Sequence, residues 1–266
     1  RDEVGGDYPY EILDRAAVLQ RLPHVGPTVV GASYSPMDGH VNPLKLLRAL
    51  HTACAQRGVM LKTGHGVERI THADGLFTAH SREQQFRAPK LVLAAGLGNA
   101  RLAGQVGLHA PVRPNRGQLI VTERTEKILD YPTAHIRQTD EGSIQFGETM
   151  EEAGYDDIAT TSIVTEIARR GVTSFPIFGK LNVVRVWGAL RVMTPDGYPI
   201  YQESSSCPGA YVVTCHSGVT LAAAHAFRIA PWINGAAAPD ELSAFRGDRF
   251  PVADPPAQVL DRQLVH

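Results

Sequence analysis

Several features that define large classes of protein are missing from this sequence. It has three cysteines, Cys54, Cys207 and Cys215, and no Cys-x-x-Cys pair, so neither a disulfide framework nor a metal site is expected. The formal net charge is -1, which gives no electrostatic basis for binding nucleic acid or an anionic membrane. The longest apolar runs, such as residues 91–95, are far too short to span a bilayer. No basic segment followed by an apolar one opens the chain, so we expect a cytoplasmic protein without a secretory signal.

What is present is the composition of an ordinary globular protein, large enough for a sizeable core. Hydrophobic residues make up 43% of the 266 positions and charged residues 20%. Strand-like and helix-like segments alternate near both ends of the chain, while the middle has the pattern of antiparallel strands with one helix. This grouping predicts an α/β protein in which a mostly antiparallel β-sheet domain interrupts a discontinuous domain.

One helix has both of its ends marked in the sequence. Asn42 is a favourable N-cap, Pro43 follows at the first helical position, and Gly58 suits a left-handed C-terminal cap. Leucine and alanine recur between these residues at helical spacing, which predicts an amphipathic helix. The same patterns predict helices over residues 10–22 and 218–233, and strands over residues 28–34 and 59–63.

The stretch LVLAAGLGNAR, residues 91–101, raises the main question about function. An apolar strand leads into Gly96-x-Gly98 and then into a short helix, as in the phosphate-binding turn of a dinucleotide-binding fold. Arg101, however, stands where that fingerprint has its third glycine, and the helix that follows is too short for it. From these residues alone, the stretch is either a nicotinamide dinucleotide site or a strand that ends in a glycine-rich turn.

Six segments in a fixed order favour a third interpretation. The sequence contains, one after another, DGHVNPLKLLRALH, GVERI, KLVLAAGLGNARLAGQVGL, PVRPNRGQLIVTE, WGALRVMTPDGYPIY and CHSGVTLAAAHA. Together they resemble the D-amino-acid-oxidase-like flavoenzymes, which include glycine oxidase and sarcosine oxidase. Within that superfamily the sequence is most similar to the flavin subunits of heteromeric D-hydroxyproline or opine dehydrogenases. The resemblance covers roughly residues 10–250.

The resemblance implies a discontinuous, Rossmann-like FAD-binding domain and an inserted substrate domain. In the family a first βαβ unit holds a G-x-G-x-x-G turn, and this sequence contains no strand followed by that motif. We therefore expect an FAD-binding domain that lacks this unit. The expected boundaries are residues 35–110 and 191–240 for the FAD-binding domain, 1–34 and 111–190 for the substrate domain, and 241–266 for a C-terminal tail.

The resemblance also implies that FAD is bound non-covalently, and it assigns residues to the cofactor. Sarcosine oxidase links its flavin to a cysteine, and Ala189 stands at about that position here. Small residues in the glycine-rich turn bring the backbone close to the cofactor. The N–H groups that follow the last strand stabilise negative charge on the flavin ring. The implied cofactor-binding residues are Val67, Ala95, Gly96, Gly39, His40, Gly218, Val219 and Thr220.

For the substrate, the resemblance assigns Arg191 to the carboxylate, because a guanidinium makes a bidentate and permanently charged pair. Trp187 and Tyr198 are the implied pocket residues, and His216 is a candidate catalytic base. The implied reaction is hydride transfer to the flavin from an amino or imino acid of the D-hydroxyproline, opine or glycine type.

Two alternatives are a nicotinamide-dependent enzyme that uses the glycine-rich turn, and a cofactor-free remnant or assembly subunit. The expected partners are other dehydrogenase subunits or an N-terminal fragment.

Overall fold

The computed structural model of the chain describes residues 8–251. Within this range the strands are β1 (Glu11–Asp14), β2 (Gly31–Tyr34), β3 (Arg69–Ala73), β4 (Leu76–His80), β5 (Gln85–Ala88), β6 (Leu91–Leu93), β7 (Arg113–Arg124), β8 (Ile136–Gln138), β9 (Ser143–Phe146), β10 (Val183–Met193), β11 (Ile200–Glu203) and β12 (Ala210–Thr214). The helices in the same range are α1 (Arg15–Arg21), α2 (Pro43–Gln56), α3 (Asn99–Leu102), α4 (Thr161–Ser174), α5 (Ala222–Ala224) and α6 (Ala230–Ile233). A π-helical segment, His225–Ile229, joins α5 and α6 into one continuous helix. None of the described helices is long and apolar enough to cross a membrane.

The described residues form two compact units, and each unit consists of two separate stretches of chain. Residues 8–62 and 115–190 form unit 1. Residues 63–114 and 191–251 form unit 2.

Helix α2 groups with unit 1, although the boundaries expected from the sequence placed residues 35–110 together. The contacts at the start of this helix give the physical reason. Lys45 forms ion pairs with Asp140 and Glu141, which lie in the turn between β8 and β9. Asn42 also donates a hydrogen bond to Asp140, at 3.4 Å. These polar contacts tie α2 to the strands of unit 1.

Unit 1 contains a four-stranded sheet with helix α4 packed against it. The strand order is β10-β7-β9-β8, and β9 pairs antiparallel with both β7 and β8. Ile120, Ile144 and Phe146 of the sheet form a core with Ile167 of α4. Gly171 permits this close approach, because a Cβ on it would lie 2.7 Å from a ring carbon of Phe146.

Unit 2 is built in layers around a short sheet with strand order β11-β12-β6. Strand β12 runs parallel to β6 and antiparallel to β11. Its alternating side chains enter different cores: Val212 packs with Phe77 of the β3-β4-β5 meander, and Tyr211 packs with Trp232 of α6. The parallel pair, its meander and its covering helix are the α/β arrangement that the sequence predicts.

Helix α2 forms between the residues that the sequence predicts. The Asn42 Oδ1 atom accepts hydrogen bonds from the backbone N–H groups of Leu44 and Lys45, both at 3.2 Å. Gly58, just after the helix, has a φ of +74°, which glycine adopts without strain.

Replacing Asn42 with alanine is expected to lower the free energy of unfolding by about 1 kcal/mol, because two N–H groups of the first turn lose their acceptor. Urea denaturation followed by circular dichroism measures this loss. His51→Ala is the control, since His51 is exposed in the same helix. The control is expected to change stability by less than about 0.5 kcal/mol. Equal losses in the two variants would contradict the N-cap role.

Two of the local predictions are wrong. The sequence predicts one helix over residues 10–22, but β1 occupies its start and α1 begins only at Arg15. Asp14 separates the two elements, because it ends the strand and its side chain accepts a hydrogen bond from the Ala17 N–H at 2.8 Å. Residues 59–63 form no strand, since no neighbouring strand pairs with them within the described range.

Candidate functional site

The carboxyl ends of β6 and β12 meet at one edge of the unit 2 sheet. The two strands are parallel, with Leu93 opposite Val212. The chain turns through Gly96–Gly98 after β6, and through residues 215–221 after β12. In open α/β sheets this edge is where ligands bind. The sheet topology thus brings together the two glycine-containing turns that the sequence analysis selected.

The turn after β6 has an open backbone. Gly96 has a φ of +57°, and a Cβ on it would meet only the Cγ2 atom of Val192, at 3.4 Å. The Asn99 Oδ1 atom fixes the turn by accepting a hydrogen bond from the Ala95 N–H at 3.0 Å. Asn99 is fully buried, and its Nδ2 atom has no hydrogen-bond partner among the described residues.

The turn after β12 presents consecutive backbone donors. No hydrogen bond within the described part of the chain uses the N–H groups of Gly218, Val219 or Thr220, and all three residues are exposed. A Cβ on Gly218 would meet only the Cys215 Sγ atom, at 3.9 Å. Thr214, at the end of β12, is buried, and its Oγ1 atom has no partner among the described residues. Unpaired N–H groups arranged in this way attract negative charge.

The sequence predicts that these donors belong to a helix, but in the structure they precede it. The predicted helix over residues 218–233 begins only at Ala222. A separate turn precedes it, in which the Leu221 N–H donates to the Ser217 carbonyl at 3.0 Å. The predicted stabilisation of negative charge therefore rests on the turn rather than on a helix N-terminus.

A cavity of about 520 Å³ lies beside this turn, within unit 2. Tyr198, Tyr201 and Phe245 contribute aromatic side chains to its lining. His216 and Thr220 line it from the turn. Three residues selected from the sequence, Tyr198, His216 and Thr220, therefore share one cavity.

A hydrogen-bonded tyrosine and histidine lie at this cavity. The Tyr201 Oη and His225 Nε2 atoms are 2.8 Å apart. Burial raises the pKa of Tyr201 to about 12, with a further contribution from Cys215, and burial lowers the pKa of His225. Both side chains are therefore neutral near pH 7, and they share one hydrogen bond whose donor depends on the tautomer of His225. Burial also raises the pKa of the Cys215 thiol, so this part of the site carries no charge.

The other residues selected from the sequence are divided between the two units. Arg191 is partly buried near the end of β10, in unit 2. Val67, also in unit 2, accepts a hydrogen bond from Arg101 Nη2 at its carbonyl, at 3.0 Å. Arg101, which replaces the third glycine of the dinucleotide fingerprint, thus anchors the start of the meander. The selected residues that lie in unit 1 are Gly39, His40 and Trp187.

One protein family matches most of the chain. The family described as FAD dependent oxidoreductase matches residues 1–232. The chain belongs to this family. An opine oxidase subunit of Agrobacterium tumefaciens is 43% identical over 249 residues, which are 93% of this chain and 67% of that protein. The HcnC subunit of a hydrogen cyanide synthase from Pseudomonas protegens is 29% identical over 251 residues, which are 91% of this chain and 60% of that protein.

The fold of this FAD-dependent oxidoreductase is similar to that of solved structures. Glycine oxidase from Geobacillus kaustophilus superposes with a TM-score of 0.86 at 23% sequence identity, over 94% of this chain and 69% of that chain. The resemblance to D-amino-acid-oxidase-like flavoenzymes and the predicted α/β fold are confirmed. FAD is the cofactor of the family, as the resemblance implied, and this favours FAD over the nicotinamide alternative.

The residues of unit 2 fit part of an FAD molecule. The edge of the parallel strands offers two open glycine turns and three exposed N–H groups that no hydrogen bond within the described residues uses. A flavin ring has polar atoms along one edge, which such groups can pair with. The G-x-G-x-x-G turn that binds the pyrophosphate in related folds does not occur in this sequence. The fit therefore concerns the ring and not the pyrophosphate.

Proposed function

We propose that this oxidoreductase oxidises an amino or imino acid by removing hydride from the carbon next to its amine. FAD, when bound, supplies the two-electron acceptor for this chemistry. The observation that best supports the proposal is the meeting of two open turns at the carboxyl edge of β6 and β12, in a chain that belongs to the FAD-dependent oxidoreductases.

The two turns have different tasks in this proposal. The backbone at Ala95 and Gly96 approaches the cofactor closely, because no large side chain obstructs it. The N–H groups after β12 would donate hydrogen bonds to the ring of a bound flavin, which would favour negative charge there. The residues of unit 2 proposed to contact non-covalent FAD are Ala95, Gly96, Gly218, Val219, Thr220 and Val67.

Arg191 is proposed to bind the substrate carboxylate, since a guanidinium matches the two oxygens of that group. Tyr198, which lines the cavity of unit 2, is proposed to contact the substrate there. His216 accepts a proton from the substrate ammonium, so that the amine is neutral when its carbon loses hydride. The His216 Nδ1 atom lies 3.1 Å from the Ser217 hydroxyl, which orients the ring.

The names of the relatives support a proposal for the substrate class and for the assembly. An opine is a secondary amine that carries carboxylates, and a protein 43% identical to this chain is named as a subunit of opine oxidase. We propose a substrate of that type, with D-hydroxyproline-like and glycine-like amino acids as the alternatives. Both sequence relatives described above are named as subunits, which supports a hetero-oligomer for this chain.

The absorption spectrum of the purified protein tests the cofactor assignment. We expect visible flavin bands that persist when FAD is added and the excess is removed, and that bleach under anaerobic conditions with octopine, D-hydroxyproline or glycine. NAD⁺ added in the same way is expected to be lost on desalting. A colourless protein that retains no FAD would contradict the proposal for this chain and favour the cofactor-free alternative.

A valine at Gly218 is expected to raise the Kd for FAD by about 10-fold or more, because its side chain would occupy the space that the cofactor needs. The protein accepts the first carbon of this side chain, since a Cβ at this position touches only the Cys215 Sγ atom at 3.9 Å and the residue is exposed. Gly104→Ala is the control, because a Cβ there meets nothing within 4 Å. Titration of FAD with each folded variant measures the effect. Unchanged affinity in Gly218→Val would remove this turn from the cofactor site.

A further inference from the structure

The segment after α6 is attached to the sheet of unit 2 and is not a loose tail. Gly247 is buried, and its N–H donates to the Gln202 Oε1 atom of β11 at 2.8 Å. A Cβ on Gly247 would lie 2.0 Å from the carbonyl oxygen of His109, so only glycine fits there. The backbone is therefore held in place two residues before Arg249.

Arg249 reaches from this segment to the turn that follows β10. Its Nε and Nη2 atoms donate to both carboxylate oxygens of Asp196, at 2.9 and 3.0 Å. Nη2 also donates to the Pro199 carbonyl at 3.0 Å, and Nη1 donates to the Arg246 carbonyl at 2.9 Å. The Arg249 side chain is only 19% exposed. A bidentate pair with additional carbonyl acceptors has far better geometry than an ordinary surface ion pair.

The turn that Arg249 holds is itself tightly bonded. The Thr194 hydroxyl, 2% exposed, donates to the Tyr198 carbonyl at 2.7 Å. The Asp196 Oδ1 atom accepts a hydrogen bond from the Tyr198 N–H at 3.0 Å. This turn starts three residues after Arg191 and leads into Tyr198, a lining residue of the cavity. Next to Arg191, Val192 lies against Gly96 in the turn after β6.

We propose that Arg249 is a positioning residue, which fixes the Thr194–Tyr198 turn through Asp196 and thereby sets Arg191 and Tyr198 for the substrate. The proposal rests on the proposed function, because Arg191 is assigned there to the substrate carboxylate. Lysine cannot replace Arg249, since a single ammonium group cannot reach both oxygens of Asp196 and the carbonyls in one geometry. A merely stabilising role would lower the melting temperature without altering the kinetics of the folded enzyme.

The test compares Arg249→Met and Arg249→Lys with Arg246→Met in the full chain, reconstituted with FAD. Arg246 is the matched control, because its side chain pairs only locally with Asp248 and is 46% exposed. With octopine, D-hydroxyproline or glycine as the probe, we expect KM to rise about 10-fold in Arg249→Met. The lysine variant is expected to recover only a small part of that loss. The flavin content of all variants, and the KM of the control, are expected to match the wild type.

Hydrogen exchange of a peptide that covers residues 194–200 provides a readout independent of activity. We expect faster exchange there in Arg249→Met and not in Arg246→Met. Asp196→Asn is expected to raise KM as much as Arg249→Met does. The double variant is expected to have a KM close to that of either single variant, because the two residues act as one pair.

The outcomes separate the two proposals. An active wild type with an unchanged KM in Arg249→Met would overturn the positioning role alone. Unchanged exchange in residues 194–200 would overturn the hold on the turn itself. A wild type whose flavin no probe reduces would overturn the proposed function, and with it the role of Arg249 in substrate binding.

Discussion

Replacing Arg191 with lysine is expected to lower kcat/KM for the amino acid substrate by about 10- to 100-fold. A lysine keeps the positive charge but loses the planar pair of donors that matches a carboxylate. The substrate would then bind more weakly and with less fixed orientation toward the flavin. The flavin content should not change, because the proposed cofactor contacts lie in the turns after β6 and β12. Anaerobic flavin reduction at several substrate concentrations measures both the rate and the affinity.

A second arginine on the same strand supplies the control. Arg185 lies on β10, and its guanidinium carbon is 5.2 Å from the centroid of the Trp187 ring. Arg185→Lys keeps a positive charge on the side chain beside the Trp187 ring and leaves the proposed carboxylate contact intact, so we expect wild-type kinetics. If Arg191→Lys loses flavin instead of substrate affinity, Arg191 belongs to the cofactor site and the proposed role is wrong. Equal kinetic losses in the two variants would point to a defect of β10 as a whole.

The sequence predicts α2 well because the determinants of this helix are local. Asn42 satisfies N–H groups two and three residues away, and Gly58 ends the helix with its own backbone conformation. The strand predicted over residues 59–63 depends instead on a distant partner. Apolar alternation indicates that a segment can join a sheet, but it does not supply the neighbouring strand.

The boundary errors have a different cause. At Asp14 a single residue ends β1 and caps α1, so an apolar pattern that runs across it resembles one helix. Near Gly218, the small residues that suit a helix also suit a turn, and the Ala222 N–H donates to the Val219 carbonyl at 3.2 Å, three residues back as in a turn and not four as in an α-helix. Both outcomes depend on individual hydrogen bonds and not on hydrophobic periodicity.

In the candidate site, too, some residues can be identified from local sequence patterns and others cannot. Gly96 and Gly218 are visible in the sequence, because each follows an apolar strand and resembles a known motif. Tyr201 and His225 are 24 residues apart, and nothing in the local pattern of either residue points to the other. Asp196 and Arg249 are 53 residues apart, and Arg249 falls in a segment that the sequence analysis treated as a tail. Such pairs are made by tertiary packing, so only the structure shows them.

Replacing Arg116 with methionine is expected to lower the melting temperature by about 10 °C, because it removes the positive partner of the largely buried Glu151 carboxylate. The Arg116 side chain is 8% exposed, and its Nη2 atom lies 2.9 Å from Glu151 Oε2. Its Nη1 atom donates to Asp156 Oδ2 at 2.7 Å and to the Ile158 carbonyl at 2.9 Å. Methionine fills similar space but leaves Glu151 without its positive partner, since Thr149 and Gln118 supply only neutral donors. Arg169→Met, at an exposed position of α4, is the control.

The ion pair of Arg116 and Glu151 also predicts how the difference in melting temperature between wild type and Arg116→Met depends on pH. Burial acts to raise the pKa of Glu151, but hydrogen bonds from Arg116, Thr149 and Gln118 hold it below its ordinary value. A carboxylate with a lowered pKa stabilises the fold above its unfolded pKa of about 4.3, and this contribution is lost as the pH falls through the lower folded value. The melting temperatures of wild type and Arg116→Met should therefore differ most near pH 7 and converge under acidic conditions. Because Arg116 is charged throughout this range, a difference that stays constant with pH would mean that Arg116 acts through packing and not through the charge of Glu151.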